Sequence, residues 1–237
     1  MSMNTRAHTA IVTGGSKGIG LAIAEAFAAA GHNVVITGRD TTALGEAEKS
    51  LSKSGAGVMA STTDVRDYAA VERLIQEAAA RFGGIDVLVN NAGVGRFAPV
   101  DEMSLEDWHA VIDTNLNAVF YCTKAALPYL RRSGDAYVIN ISSLAGKNWF
   151  AGGAAYCASK AGLNAFSESL MQDVRQHDIR VSYVMPGSVN TAFNFKGAVQ
   201  ADWKLTAGDI AEVVLNLVTS DKRALASRVE IRPSKPR

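Results

Sequence analysis

The sequence predicts an α/β fold with a parallel sheet covered by helices on both faces, and three observations carry that prediction. Short β-branched apolar runs alternate with longer helical patterns along the chain, which is the signature of repeated βα units. A glycine-rich turn, Thr13-Gly14-Gly15-Ser16-Lys17-Gly18-Ile19-Gly20, separates the first such run from the first helical pattern. Polar turns, among them Asn90-Asn91-Ala92-Gly93, close several later runs.

The elements follow in order. Thr9 to Thr13 reads as a strand and Leu21 to Ala30 as a helix. Between them the glycines remove Cβ atoms that would keep a diphosphate away from backbone N–H groups and from the positive end of the helix. The spacing is Gly-x-x-x-Gly-x-Gly rather than GxGxxG, because Ile23 stands three positions beyond Gly20. An ordinary tight turn would have the same composition, so its place between a strand and a helix is what gives the turn meaning.

The second strand, Asn33 to Thr37, ends in Gly38-Arg39-Asp40. In dinucleotide folds this strand end faces the adenosine ribose. An acidic residue there would accept from both ribose hydroxyls and repel a 2′-phosphate, whereas Gly38 followed by Arg39, with Lys17 nearby, favours the phosphorylated cofactor NADP(H). Two charge-assisted hydrogen bonds at about 1.5 to 3 kcal/mol each would give a preference of two or more orders of magnitude. Asp40 in the place of Gly38 at the ribose would weaken or reverse it.

The pattern repeats with a helix from about Thr42 to Lys53, a strand from Val58 to Thr62, a helix from Asp67 to Phe82 and a strand from Ile85 to Asn90. Asp64 and Val65, and Asn91, Ala92 and Gly93, fall just past strand ends, on the edge where such sheets bind ligands. One long helix is expected from Ser104, an N-cap with Asp107 three positions on, to Leu130. Asn115 lies within it, a poor interior helix residue whose simplest reading is a surface position.

The strand Tyr137 to Ile141 delivers Ser142 and Ser143 to the same edge. An alanine-rich helix follows from Gly153 to Leu170, with apolar Ala161, Leu163, Ala165, Phe166 and Leu170 on its packed side. Tyr156 and Lys160 are four apart on it. The ammonium favours the phenolate, and a drop of about three units from the free Tyr value of about 10 needs roughly 4 kcal/mol. A second positive charge, such as an oxidised nicotinamide ring, and partial desolvation strengthening the Coulomb interaction would have to assist. Such pairs also occur on solvated helix faces, so the pair gains meaning from the rest of the chain. A strand from Ile179 to Met185, the turn Pro186-Gly187-Ser188-Val189-Asn190-Thr191, a helix from about Ala207 to Val218 and a strand near Val229 to Ile231 complete the chain.

The 237 residues are 48% apolar with a formal net charge of +1, so there is no basic field for nucleic acid. No run approaches a membrane span and the N-terminus lacks a signal-peptide core, which makes the cytoplasm the expected location. No linker or repeat divides the chain, and 1–237 is read as a single catalytic domain. Cys122 and Cys157 are expected to be buried in helices, and His8, His32, His109 and His177 are scattered, so no metal is indicated.

Taken together these motifs resemble the short-chain dehydrogenase/reductase family over nearly the whole chain. The family's TGxxxGxG turn matches Thr13 to Gly20, its NNAG turn Asn90 to Gly93, and its YxxxK pair Tyr156 and Lys160. Its strand-end serine matches Ser143, its mid-helix asparagine Asn115, and its proline-glycine turn and threonine Pro186, Gly187 and Thr191. The resemblance implies a Rossmann-like, doubly wound sheet of about seven parallel strands and a catalytic tetrad of Asn115, Ser143, Tyr156 and Lys160. It further implies that Ser143 polarises a substrate carbonyl and Tyr156 protonates it as the nicotinamide C4 delivers hydride. Lys160 would hold the nicotinamide ribose, and Asn115 a water of the proton relay. Cofactor contacts fall to Gly14, Ser16, Lys17, Gly18, Ile19, Gly20, Arg39, Asp64, Val65, Asn91, Ala92, Gly93, Tyr156, Lys160, Pro186, Gly187, Val189 and Thr191.

The chain departs from the family pattern in a short substrate-lid segment, about 188–206, and in a tail, Arg232-Pro233-Ser234-Lys235-Pro236-Arg237, that lacks the glycine-rich end of tetrameric members. A homodimer through the Asn115 and Tyr156 helices is expected, with a homotetramer as the alternative. The implied activity is NADPH-dependent reduction of a ketone or aldehyde. A 3-oxoacyl thioester reductase is one alternative, although basic docking residues are sparse beyond Arg131-Arg132 and the tail. A non-catalytic NADP(H)-sensing protein is another. Trp149, Phe150, Phe193 and Phe195 flank the site and hint at an apolar or aromatic substrate, though core packing explains aromatic residues as often.

Overall fold

The computed structural model describes residues 7–191, 193 and 201–235. Phe195 and the centre of the expected lid lie outside the described residues. Seven parallel strands run β1 (Thr9–Thr13), β2 (Asn33–Gly38), β3 (Val58–Thr62), β4 (Val87–Asn90), β5 (Ala136–Ile141), β6 (Ile179–Pro186) and β7 (Arg228–Ile231). Their spatial order is β3-β2-β1-β4-β5-β6-β7. The helices are α1 (Gly18–Ala29), α2 (Thr41–Leu51), α3 (Tyr68–Phe82), α4 (Leu105–Ile112), α5 (Ala118–Ser133), α6 (Ala154–Val174) and α7 (Ala207–Thr219).

Both faces of the sheet are covered, and the strands show why they carry near-continuous apolar runs. In β1, Ala10 and Val12 pack toward Ile23, Phe27 and Val214, whereas Ile11 joins Leu74, Ile75 and Leu88 on the opposite face. Side chains alternate faces with period two, so a strand buried on both sides has no position at which a polar residue is free of cost. The sequence order reverses direction at the β1–β4 pair, where Ile11 aligns with Leu88. That reversal opens a crevice at the carboxyl ends of the two strands, and the glycine turn and the Asn90–Gly93 turn both enter it.

The expected long helix is in fact interrupted. α4 ends at Ile112, Asp113–Asn117 forms a π turn, and α5 resumes at Ala118. Asn115, the residue at odds with a helix interior, sits in that turn with no exposed surface, so the surface reading is corrected. The packed face of α6 also differs from the apolar stripe. Tyr156, Lys160, Leu163, Ser167, Leu170 and Val174 are buried, while Ala165 is exposed. Hydrogen bonds made by the polar members of this face offset their burial.

Candidate active site

A cleft of about 850 Å³ runs along the carboxyl edge of the sheet, from Gly38 and Arg39 past the glycine turn to Ser143 and Tyr156. Most of the residues singled out from the sequence line it: Gly14, Ser16, Lys17, Gly18, Ile19, Arg39, Asp64, Val65, Asn91, Ala92, Gly93, Ser143, Tyr156, Pro186, Gly187, Val189 and Thr191. Gly20, Asn115 and Lys160 stand behind this lining.

Gly14 adopts φ +64°, a left-handed conformation, and a Cβ there would lie 3.0 Å from the Ala92 backbone. At Gly20 a Cβ would collide with the Gly14 carbonyl and the Asn91 side-chain amide, so close packing of the two turns itself requires a glycine there. The two turns are tied together. Thr13 Oγ1 accepts from the Asn91 and Ala92 N–H groups, each at 3.0 Å, and Asn91 Nδ2 donates to the Thr13 carbonyl at 2.9 Å. At the start of α1, Lys17 makes no side-chain cap and the first turn carries no acid. The first-turn N–H groups and the helix dipole therefore present an anion-binding end to the cleft.

At the Gly38 end the acidic residues are occupied. Asp40 caps α2, its carboxylate accepting from the Ala43 N–H at 3.1 Å. Asp64 is gripped by Arg66, with Nη2 donating to Oδ2 at 2.6 Å and Nε to Oδ1 at 3.0 Å, and this pairing holds its carboxyl below the usual range. Arg66 also lines the cleft and was not legible from spacing, because no motif marks it.

The reactive end is assembled from three elements. Ser143 leaves β5 and accepts from the Ala145 N–H at 3.1 Å, starting a short 3₁₀ turn over Leu144–Gly146. Ser142 Oγ donates to the Asn164 side-chain Oδ1 at 2.5 Å, tying this segment to α6. Lys160 is buried, and its Nζ donates to the Ile141 carbonyl at 2.8 Å. Burial pushes the ammonium down to about 8. Burial likewise pushes the Tyr156 phenol up to about 12, with a hydrogen bond to Ser143 opposing it. Here the expectation from sequence needs correcting. Desolvation does not assist ionisation of the tyrosine but works against it, and it outweighs the hydrogen bond to Ser143.

Asn115 acts through its side chain on the loop after β4. Its Oδ1 accepts from the Val94 N–H at 2.8 Å, and Nδ2 donates to the Val94 carbonyl at 2.9 Å and to Ser159 Oγ at 3.0 Å. These bonds use both amide N–H donors and one of the two Oδ1 lone pairs, so a water held by Asn115 would use the second lone pair or the main chain of the π turn. Around Tyr156 stand Phe97, with ring centroids 5.6 Å apart, and Phe193, at 6.0 Å. Phe97 was missed from sequence because it lies in an irregular stretch with no periodic pattern.

The comparisons decide the family. The model of the short chain dehydrogenase family matches residues 8–200. The chain belongs to that family. An uncharacterised oxidoreductase of Staphylococcus saprophyticus is 33% identical over 225 residues, 94% of this chain and 96% of the relative. The 3-oxoacyl-[acyl-carrier-protein] reductase of Escherichia coli is 38% identical over 189 residues, 80% of this chain and 76% of its own. Among solved structures, the alcohol dehydrogenase of the archaeon Thermococcus sibiricus, complexed with 5-hydroxy-NADP, superposes with a TM-score of 0.92 at 29% identity, covering 98% of this chain and 99% of the other. The family is one of oxidoreductases, and no helix among the described residues is long and apolar enough to cross a membrane.

Proposed function

We propose that this chain is an NADPH-dependent carbonyl reductase that interconverts a ketone or aldehyde and its alcohol. The observation that carries the reading is the meeting of Ser143, Tyr156 and buried Lys160 at one end of a cleft whose middle is an uncapped helix N-terminus. The cleft fits a dinucleotide on its own geometry, since Gly14 and Gly18 leave backbone open where an L side chain would be strained. The α1 N-terminus with Ser16, Gly18 and Ile19 would hold the diphosphate. Arg39 and Lys17 would hold a 2′-phosphate, with Asp40 occupied as a cap and Asp64 neutralised by Arg66. Asp64 and Val65 would face adenine, Asn91 to Gly93 the riboses, Lys160 the nicotinamide ribose, and Pro186, Gly187, Val189 and Thr191 the carboxamide end.

When bound, the cofactor supplies the hydride that the carbonyl carbon accepts. Tyr156 supplies the proton that the carbonyl oxygen takes up, and a phenol raised toward 12 is protonated throughout neutral pH, as an acid must be. Ser143 orients that oxygen by a second hydrogen bond. Asn115 fixes the Val94 loop and α6 relative to each other through Ser159. In the alcohol-oxidising direction the same groups act in reverse, with a positively charged nicotinamide favouring the phenolate.

A 3-oxoacyl thioester is the second reading, supported by the Escherichia coli relative. The decisive experiment is NADPH against NADH consumption over ketones, aldehydes and 3-oxoacyl thioesters; turnover confined to NADH, or to none of these, refutes the proposal. The whole of 1–237 would act as one cytoplasmic domain with 188–206 as its lid. The two ends of that segment already meet, since the Asn190 N–H donates to the Leu205 carbonyl at 2.8 Å. A homodimer through α5 and α6 is expected, or a tetramer built on it, and light scattering that shows a monomer at micromolar concentration would overturn this.

A further inference from the structure

We infer that the substrate carbonyl carries an uncharged aromatic substituent, which docks on a row of rings at the reactive end of the cleft. The inference rests on the carbonyl-reductase reading and adds the substrate class to it. The row runs Phe193, Tyr156, Phe97, Phe150. Successive centroids are 6.0, 5.6 and 5.7 Å apart, with interplanar angles of 54°, 67° and 48°. These are the tilted and edge-on arrangements that aromatic rings adopt with one another. At the two ends, Phe193 is 40% exposed and Phe150 48% exposed, so the row opens to solvent rather than closing into the core.

The row is held in place. Ala98, next to Phe97, donates its N–H to the Gly152 carbonyl at 3.0 Å, pinning the loop after β4 to the segment before α6. Gly152 takes φ +74° at that junction. Gly153 has no room for a side chain because a Cβ would lie 2.6 Å from the Phe150 ring. Phe97 itself packs on Ala145, Tyr156 and Cys157, a small apolar cluster separate from the two main cores. Two loops and the start of α6 are thus shaped around a row whose end rings, Phe193 and Phe150, are exposed, beside the hydroxyl that would protonate the substrate.

Charge placement points the same way. Lys17, Arg39, Asp40, Asp64 and Arg66 line the cleft at the glycine turn and beyond β2 and β3, and Lys204 lines it beside the Ser188–Thr191 stretch. Ser143, Tyr156, Val94 and Phe193 line the reactive end. The ammonium behind them, Lys160, is buried and donates to the Ile141 carbonyl, so a carboxylate or phosphate on the substrate would leave water there without a cation among these lining residues, whereas an aryl group would replace the exposed surface of Phe193 and Phe150 with ring contact.

The test measures binding apart from turnover. Acetophenone, cyclohexyl methyl ketone and 2-butanone are titrated by ligand-observed NMR into the protein saturated with NADP+, and kcat/KM for each is then measured with NADPH. Acetophenone is expected to bind at least tenfold more tightly than 2-butanone and about threefold more tightly than the cyclohexyl ketone. Phe97→Ala should reduce the acetophenone to 2-butanone ratio to within about threefold, and Phe97→Leu, which keeps apolar volume, should remove the advantage over the cyclohexyl ketone. NADP+ affinity in both variants reports that the fold is intact. Equal binding of acetophenone and the cyclohexyl ketone overturns the inference, as does a preference that survives in Phe97→Leu. Ring-selective binding without reduction of any ketone supports the inference and refutes the reductase reading, so the two fail separately.

Discussion

Replacing Lys160 by Met should make the protein more stable near neutral pH while removing its activity. Lys160 is buried, and burial takes its ammonium from the ordinary 10.5 down to about 8, a shift of about 2.5 units. At about 1.36 kcal/mol per unit, the folded state is disfavoured by roughly 3 kcal/mol when the side chain is charged in both folded and unfolded chains. The sign follows from a depressed folded value. The relative stability is present above pH 10.5 and is lost as pH falls through 10.5 to about 8, so at pH 6.5 the whole penalty applies. Methionine has similar length and no charge to desolvate, but it forfeits the hydrogen bond to the Ile141 carbonyl, worth about 1 kcal/mol. The net expectation is a gain of about 2 kcal/mol at pH 6.5, or about 4 to 8 °C in Tm for a chain of this size. Urea denaturation of both proteins at pH 6.5 and pH 10 measures it. Comparing the two proteins at each pH isolates Lys160 from tyrosines such as Tyr137 and Tyr183, whose raised values alter stability in the alkaline range. A Lys160→Met protein that is less stable at pH 6.5, or whose difference from wild type does not shrink by pH 10, refutes the reasoning. Stability gained by discarding a functional group is the usual sign of an active-site residue held at a cost.

Arg39→Ala should lower the NADPH-over-NADH ratio of kcat/KM by about ten- to a hundredfold, the loss of one charge-assisted hydrogen bond to a phosphate; an unchanged ratio would move the selectivity to Lys17 or Arg66. The pH profile should be asymmetric. With the Tyr156 phenol up at about 12 and the Lys160 ammonium down at about 8, kcat/KM for carbonyl reduction should stay flat from pH 6 to 7, whereas alcohol oxidation, which needs the phenolate, should climb with pH over the same range. Reduction that falls away through a group titrating near 7 would contradict that assignment.

Much of the fold was readable because its causes are local. β-branched runs such as Val34 to Ile36 can be buried on both faces only as central strands, and the glycine turn between β1 and α1 is constrained by backbone geometry at Gly14 and by crowding at Gly20. Tyr156 and Lys160 were readable for the same reason, since four-residue spacing on a helix fixes a shared face. What sequence could not supply depends on long-range contacts. The burial of Lys160 beside β5 and its Ile141 carbonyl, and that of Tyr156, depend on long-range packing, and each residue's own burial sets the direction of its pKa shift. The π turn at Asn115 follows from bonds to Val94, 21 residues away, and to Ser159, 44 residues away. Asp40 left the cofactor preference open until its capping bond to Ala43 was located. Phe97 became significant through its neighbours Tyr156 and Phe150 and through no pattern of its own.

The most direct test of the central claim, that Tyr156 is the proton donor of a carbonyl reductase, is single-turnover reduction by wild type and Tyr156→Phe, each preloaded with NADPH whose binding is followed by fluorescence. Loss of the phenolic hydroxyl removes the acid while leaving the ring between Phe97 and Phe193. NADPH affinity within about threefold of wild type, with the chemical step slowed at least a thousandfold, is the predicted result. A chemical step within tenfold of wild type would show that the proton comes from elsewhere and would contradict the account.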